Sequence, residues 1–467
     1  MAEQTAEMIA PDALRADFSG AMSAMYRREV PAYGELVDLV EAVNTNALAS
    51  DPALKARLER TGEVDRLSAE RHGAIRLGTG EELSFMRRIF ALMGMFPVGY
   101  YDLTIAGLPV HATAFRPVAG DSLKANSFRI FCSLLRLDLI EEEALRTDAA
   151  DILEARDIFS DELRDLVRRA EAEGGVRADE TDAFIAAVIE VFRWRSEANV
   201  SAELYDRFLS QHRLIADIVC FKGPHINHLT PRTLDIDAVQ TGMPARGINP
   251  KAVIEGPPRR DCPILLRQTA FKALSEAVDF PDAGGAREAG VHTARFGEIE
   301  QRGVALTPAG RALYDTLLAK TREKVMPAPD GSNAAPYMQA LEEEFAAFPD
   351  NWETLRKQGL AYFTYHAATG TKVEADADID ALIEAGQVEL APITYEDFLP
   401  VSAAGIFRSN LGDEQGETFS GQEMQTAFER LLGAPVLDSD ALYAELQQKS
   451  LDACLAVMGA NQTTGVS

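Results

Sequence analysis

Between about residues 11 and 60, apolar side chains recur at three- and four-residue spacing, with Leu14, Phe18, Met22 and Met25 on one side. That period predicts helix. It returns over Glu81 to Met93, where Leu83, Phe85, Ile89 and Phe90 form the side expected to be buried. From Val98 to Val118 glycine, proline and aromatics replace the helical period, and Ala106-Gly107-Leu108-Pro109 predicts a hairpin. Residues 138 to 215 turn helical again, with charge-rich outer faces such as Glu141-Glu142-Glu143. Short strands and turns are expected from 216 to 300: Ala216–Phe221, Ala252–Glu255, Ile264–Gln268 and His292–Ile299. A helix follows at about 307–324, then a linker-like stretch from Met326 to Asn333. The last third mixes helices with strands near 360–366 and 388–396.

This alternation predicts an α+β fold, a β core with large helical insertions. The expected organisation is one elaborated catalytic domain. It has N-terminal helices (1–60), a metal-binding β core (61–325) interrupted by a helical insertion (about 138–215), and a mixed C-terminal region (335–467) closing the pocket. A doubly wound nucleotide fold is not expected. Gly78-Thr79-Gly80-Glu81-Glu82-Leu83 lacks the third glycine of a dinucleotide fingerprint, and the chain has no P-loop, GxSxG or HExxH motif.

Charge narrows the partners. The 467 residues carry 46 Lys and Arg against 73 Asp and Glu, a formal net charge of −27. Such a surface repels nucleic acid and anionic membranes, so neither is expected as a partner. A small anionic substrate would need local positive charge from a metal or an arginine. The four cysteines, Cys132, Cys220, Cys262 and Cys454, form no CxxC pair and read as reduced, buried thiols. No signal peptide and no transmembrane stretch is read, so a soluble cytoplasmic protein is expected. Nothing resembles a coiled coil, and a monomer and a dimer both fit.

Two of the seven histidines fall three residues apart in Gly223-Pro224-His225-Ile226-Asn227-His228, after the apolar run Ile218-Val219-Cys220-Phe221, read as a buried strand. Neutral imidazole is the commonest protein ligand for a transition metal. The spacing does not say whether both bind, or whether one supports the other. His72 and Arg76 are four apart, which places them on one face of a helix or of a strand. An arginine beside a metal ligand would suit a chelating carboxylate ligand, because its planar fork matches a carboxylate. In His292-Thr293-Ala294-Arg295-Phe296-Gly297-Glu298-Ile299-Glu300, read as one strand, His292, Phe296, Glu298 and Glu300 share a side. Either glutamate could be a ligand, and a wet edge strand would also explain both. His111, His212 and His366 are taken as structural. Two histidines and one carboxylate from separate segments, with positions left open, suit a non-haem Fe(II) oxygenase. A zinc or manganese hydrolase, lyase or isomerase acting on a small dicarboxylate can use the same set. A dicarboxylate sensor is disfavoured by the absence of a basic DNA-binding helix pair.

Five segments together carry a resemblance. They are Glu70-Arg71-His72-Gly73-Ala74-Ile75-Arg76, Val98-Gly99-Tyr100-Tyr101-Asp102-Leu103, Gly223 to Arg232, Arg295 to Gly303, and Tyr395-Glu396-Asp397-Phe398-Leu399-Pro400-Val401-Ser402-Ala403-Ala404-Gly405. Across nearly its whole length the chain resembles the 2-oxoadipate dioxygenase/decarboxylase family, also called hydroxyglutarate synthase. The resemblance implies a vicinal-oxygen-chelate-like curved β-sheet core around Fe(II). It implies metal ligands at His72, His228 and Glu298, a substrate-clamping arginine at Arg76, and a pocket wall at Val401 and Ser402. The implied partners are a small 2-oxo dicarboxylic acid and O2. The implied reaction converts 2-oxoadipate and O2 to 2-hydroxyglutarate and CO2 in lysine catabolism.

Overall fold

The computed structural model describes residues 7–69, 71–282, 284, 286–293, 295–328, 331–368, 378–398 and 421–463. The N-terminal period forms three helices, Pro11–Glu29, Pro31–Ser50 and Pro52–Thr61. A proline opens each, where its missing N–H costs nothing. Leu14, Phe18, Met22 and Met25 are fully buried, as their spacing predicts.

Five strands form a mixed sheet. They are β1 (Arg71–Leu77), β2 (Phe96–Asp102), β3 (Val110–Arg116), β4 (Arg129–Leu135) and β5 (His228–Pro231), in the order β2-β3-β4-β1-β5. The pairs are antiparallel except β1 with β4, which run parallel. A parallel pair needs a crossover. The stretch between β1 and β4 holds the helix Gly80–Leu92 and the hairpin β2-β3. That helix starts with a capping box: Thr79 Oγ1 accepts from the Glu82 N–H at 3.1 Å, and Glu82 accepts from the Thr79 N–H at 3.3 Å. Its residues Leu83, Phe85, Ile89 and Phe90 are buried. The expected turn at 106–109 joins β2 to β3.

Beyond β5 come β6 (Leu266–Ala270), β7 (Ser275–Pro281), β8 (Arg287–Thr293) and β9 (Glu298–Arg302). β6 and β9 pair antiparallel, and β7 with β8 form a separate hairpin. A parallel bridge between Arg232 and Glu300, with the Thr233 N–H donating to Glu300 O at 2.8 Å, lays β9 beside the end of β5. Near the C-terminus β10 (Phe363–Ala367) pairs with β11 (Val388–Pro392). Helices at Glu143–Glu154, Asp161–Glu173, Thr181–Phe192 and Ala202–Gln211 fill the expected insertion. The α+β reading therefore holds. No helix among the described residues is long and apolar enough to cross a membrane, and the four cysteines are free and buried.

Three strand expectations fail. Ala216–Phe221 lies largely in a helix, Arg213–Val219, opened by His212, whose Nδ1 accepts from the Leu214 N–H at 3.0 Å. Leu214 through Val219 are all buried, and a fully buried helix shows no polar period to tell it from a strand. Ala252–Glu255 contributes only an isolated bridge, Glu255 to Gln268. His292–Ile299 is not one strand: β8 stops at Thr293 and β9 starts at Glu298. Between them the Leu274 N–H donates to Arg295 O, the Phe296 N–H to Asn227 O and the Phe271 N–H to Gly297 O. A Cβ at Gly297 would lie 2.0 Å from the Phe271 ring, so the crossing between the two sheets needs glycine there.

Candidate metal centre

β1 carries His72, Ala74 and Arg76 on one face, because side chains alternate along a strand. β5 pairs Thr230 with His72 and His228 with Ala74, so His228 sits diagonally beside His72 on that face. The close pairing depends on Gly73, where a Cβ would meet Ile226 Cδ1 at 2.5 Å and the His228 carbonyl at 3.1 Å. β9 places Glu298 and Glu300 on the neighbouring edge, with Ala270 opposite Glu298 and Gln268 opposite Glu300. Tyr26 in the N-terminal helix ties the two arriving segments together. Its hydroxyl donates toward Phe296 O at 2.7 Å and Asn227 O at 3.1 Å, two residues before Glu298 and one before His228.

His72, His228 and Glu298 are wholly buried, and one ligand atom from each lies within 4.8 Å of the others. His72 Nε2 is 3.0 Å from Glu298 Oε1, and His228 Nε2 is 3.9 Å from the same oxygen. Glu298 Oε1 also accepts from Gln268 Nε2 at 2.8 Å and Thr230 Oγ1 at 3.1 Å. Among the described residues, neither ring nitrogen of His228 nor Glu298 Oε2 has a hydrogen-bond partner. Buried polar atoms without partners are costly, and a cation held between them would remove that cost. Burial holds the His228 imidazole well below its ordinary pKa, with His72 adding to the effect, so it offers a neutral lone pair. Burial raises the Glu298 carboxyl, against the nearby His72 imidazole. These residues therefore fit a metal ion.

Glu300 is equally buried but differently surrounded. Arg129 Nη2 donates to its Oε1 and Oε2 at 2.7 and 2.6 Å, and Arg302 Nε donates to Oε1 at 2.8 Å. Burial alone would raise this carboxyl; Arg129 and then Arg302 outweigh it and hold it well below the usual carboxylate range. A carboxylate already facing two guanidiniums has little to offer a metal. Its Oε2 is instead 3.1 Å from His72 Nδ1.

Arg76 lies at the far end of β1. Its Nη1 donates to Asp217 Oδ2 at 2.5 Å, and the Asn227 amide oxygen accepts from the same nitrogen at 2.8 Å. Asp217 Oδ1 accepts from His292 Nε2 at 2.8 Å and is 3.5 Å from His225 Nε2, and Tyr205 OH lies 2.8 Å from His292 Nδ1. Burial would raise the Asp217 carboxyl, but Arg76 and His225 hold it far below its ordinary value. Burial lowers the His225 imidazole to about 3, against the pull of Asp217. His225 and His292 thus belong to this second network and lie outside the ligand group. Of the other histidines, His111 is buried with Nδ1 3.4 Å from Tyr100 OH, and His212 caps a helix.

Phe398 lies against His72, ring centroids 5.0 Å apart, and Phe296 against His228 at 4.9 Å. Just before Phe398, Glu396 accepts from Arg302 Nη1 at 2.5 Å and from Arg66 Nη2 at 2.9 Å. Asp397 accepts from Arg116 Nε at 2.8 Å and Tyr443 OH at 2.6 Å, and its carbonyl accepts from Arg129 Nη1 at 2.9 Å. Val401 and Ser402, expected as pocket wall, lie outside the described residues. Residue-by-residue reading missed Asp217, Gln268, Thr230 and Arg129. Only Asp217 had an available signal, a lone acid within an apolar run.

Comparison with known proteins adds an independent line. A family model described as 2-oxoadipate dioxygenase/decarboxylase matches residues 18–410. The chain is 54% identical over 453 residues to the Pseudomonas putida protein of that name, covering 96% of this chain and 97% of the relative. It is 52% identical over 454 residues to the Escherichia coli one, covering 96% and 99%. The solved structure of Pseudomonas putida hydroxyglutarate synthase in complex with 2-oxoadipate superposes with a TM-score of 0.90 at 51% identity, covering 97% of this chain and 99% of that one.

Proposed function

The chain belongs to the 2-oxoadipate dioxygenase/decarboxylase family, and on that premise we propose that His72, His228 and Glu298 hold Fe(II) in an enzyme converting 2-oxoadipate and O2 to 2-hydroxyglutarate and CO2. The observation that carries the metal reading is the convergence of three buried ligand groups, two of which leave donor atoms without partners. Two imidazoles and a carboxylate with positions left open are the donor set of non-haem Fe(II) oxygenases. Bound there, the metal supplies Lewis acidity toward the 2-oxo acid and the electrons that activate O2. The atoms balance without a second reductant: the six-carbon 2-oxo diacid loses its C1 carboxyl as CO2, one oxygen atom of O2 turns the former keto carbon into the new carboxylate, and the other becomes the hydroxyl on the carbon next to it.

The protein's own groups do the rest. Phe296 and Phe398 wall the two imidazoles and keep bulk water from them. Arg76, on the ligand face of β1, binds a substrate carboxylate and selects a diacid, against the repulsion of a chain of charge −27. Asp217 and Asn227 fix the direction of its guanidinium. Val401 and Ser402 complete the pocket wall. The connectivity β1, helix, β2, β3, β4 with β1 parallel to β4 supports a vicinal-oxygen-chelate type of core, as does the second parallel contact of β5 with β9. We place the reaction in lysine catabolism.

The test is anaerobic reconstitution with Fe(II), then 2-oxoadipate with and without O2, following oxygen uptake and products by mass spectrometry. Oxygen consumption with 2-hydroxyglutarate formed, lost in His72→Ala, is the expected result. Metal-dependent turnover that continues without O2 would replace the oxygenase with a hydrolase, lyase or isomerase. Arg76→Lys keeps the charge but loses the fork, and a large fall in turnover is expected. Unchanged turnover would remove Arg76 from the clamp.

A further inference from the structure

We propose that Glu300, which is not itself a ligand, is the positioning residue of the metal centre: it holds His72 with the proton on Nδ1 and so turns the Nε2 lone pair toward the metal. The inference rests on the reading of His72, His228 and Glu298 as ligands. Glu300 Oε2 lies 3.1 Å from His72 Nδ1, while His72 Nε2 points at Glu298 Oε1 3.0 Å away. Arg129 Nη2 also approaches His72 Nδ1, but at 3.5 Å, and it spends its short contacts of 2.6 and 2.7 Å on Glu300; an ionised carboxylate only accepts, so the proton between Glu300 and His72 belongs to the imidazole at Nδ1. Arg129 and Arg302 keep it an acceptor, and all three side chains are buried.

The strand register makes the arrangement inescapable for this chain. β4 places Arg129 directly opposite His72, and β9 delivers Glu300 two residues after the ligand Glu298, on the same face. One strand thus supplies both a ligand and the group that orients another ligand. Carboxylate–histidine pairs behind a metal set the tautomer and the ring angle. The chain of contacts continues outward from Arg302 to Glu396, and from Arg129 to the Asp397 carbonyl. The orientation of His72 is therefore anchored in the segment that also presents Phe398.

Glu300→Gln is a sharp probe because it preserves size. Arg302 needs an acceptor at the Oε1 position, and Arg129, which reaches both oxygens, is also satisfied by an acceptor there. A glutamine that satisfies them turns its NH2 toward His72 Nδ1, forces that nitrogen to accept, and moves the imidazole proton to Nε2. The first measurement is Co(II) titration of the wild-type protein and of Glu300→Gln, reading affinity and the visible ligand-field spectrum. About 10–100-fold weaker binding with an altered spectrum is expected. A purely structural salt bridge would lower the melting temperature and leave the spectrum of the bound metal unchanged; that result overturns the inference. The second measurement needs no variant. Nitrogen-15 NMR of the Zn(II)-loaded wild type, with labelled histidine, should show His72 protonated at Nδ1 and metal-bound at Nε2. Metal bound at Nδ1 would overturn the inference even if Glu300→Gln failed to fold. A wild-type protein that binds neither Co(II) nor Zn(II) would sink the ligand reading beneath it. Normal wild-type binding matched by Glu300→Gln would sink this inference alone.

Discussion

At one end of β1 the carboxylate of Glu300 meets His72 and faces Arg129 and Arg302; four residues along, the carboxylate of Asp217 meets Arg76 and faces His225 and His292. Both acids are buried and both come from outside β1. The company they keep differs. Glu300 sits between two guanidiniums that stay charged at any working pH, so its charge and its role as acceptor are constant. Asp217 shares its anion between one guanidinium and two imidazoles. The first end is suited to holding a ligand still. The second is suited to holding a cation whose charge is partly compensated. A buried arginine with no anion would be prohibitively costly, and one sealed by two anions would have nothing left for a substrate.

The comparison can be broken at several points. Arg129→Met leaves Glu300 with Arg302 alone and removes the contact to the Asp397 carbonyl. Breaking a buried pair in this way costs about 3–5 kcal/mol, read by urea unfolding, and metal affinity should fall with it. A loss of stability with metal affinity intact would separate the ion pair from the site. Asp217→Asn leaves Arg76 charged but less firmly directed. Loss of a charged hydrogen bond of about 1.5–3 kcal/mol corresponds to a fall of about 10–100-fold in kcat/KM for 2-oxoadipate. Most of it should appear in KM, and metal affinity should not change. A pure kcat effect would move Asp217 from the clamp to the chemistry.

Acid should expose the histidines before the carboxylates. The folded protein keeps His225 neutral down to about pH 3, whereas an unfolded histidine takes up a proton near pH 6.5. Below that pH the unfolded state binds more protons, so stability falls by about 1.4 kcal/mol per pH unit from this residue. The carboxylate contributions of Asp217 and Glu300 are fully present above about pH 4 and disappear only below it. Melting temperature followed from pH 7 to 5 should therefore decline, and less steeply in His225→Gln. An identical slope in that variant would show that His225 does not titrate on unfolding. The smallest effect belongs to Tyr205→Phe, which removes the bond to His292. About 1 kcal/mol of stability is expected, with no change at the metal.

Much of the proposed clamp and part of the proposed metal group are legible in the chain itself. An even separation puts His72 and Arg76 on one face whatever the local structure, and Glu298 and Glu300 share a side by the same rule. What spacing leaves open is which glutamate binds. Part of the difference comes from Arg129, 171 residues from Glu300, which no local pattern carries; Arg302, two residues further along the same strand, supplies the rest. Asp217 was hidden for another reason. Its segment reads as a strand, because a buried helix of seven residues has no polar face to show its period. The break between Thr293 and Glu298 escaped because alternation continues in the letters while the backbone leaves one sheet for another. The family resemblance implies His228 and Glu298, and the unpartnered ring nitrogens of His228 and Oε2 of Glu298 support that reading.

His72 and Glu298 are 226 residues apart in the chain and 3.0 Å apart in the fold. A ribosome adding about 5–20 residues per second takes about 11–45 s to travel that distance. Until β9 emerges, the group of His72, His228 and Glu298 is incomplete, so the proposed site comes into being only when β9 docks beside β5.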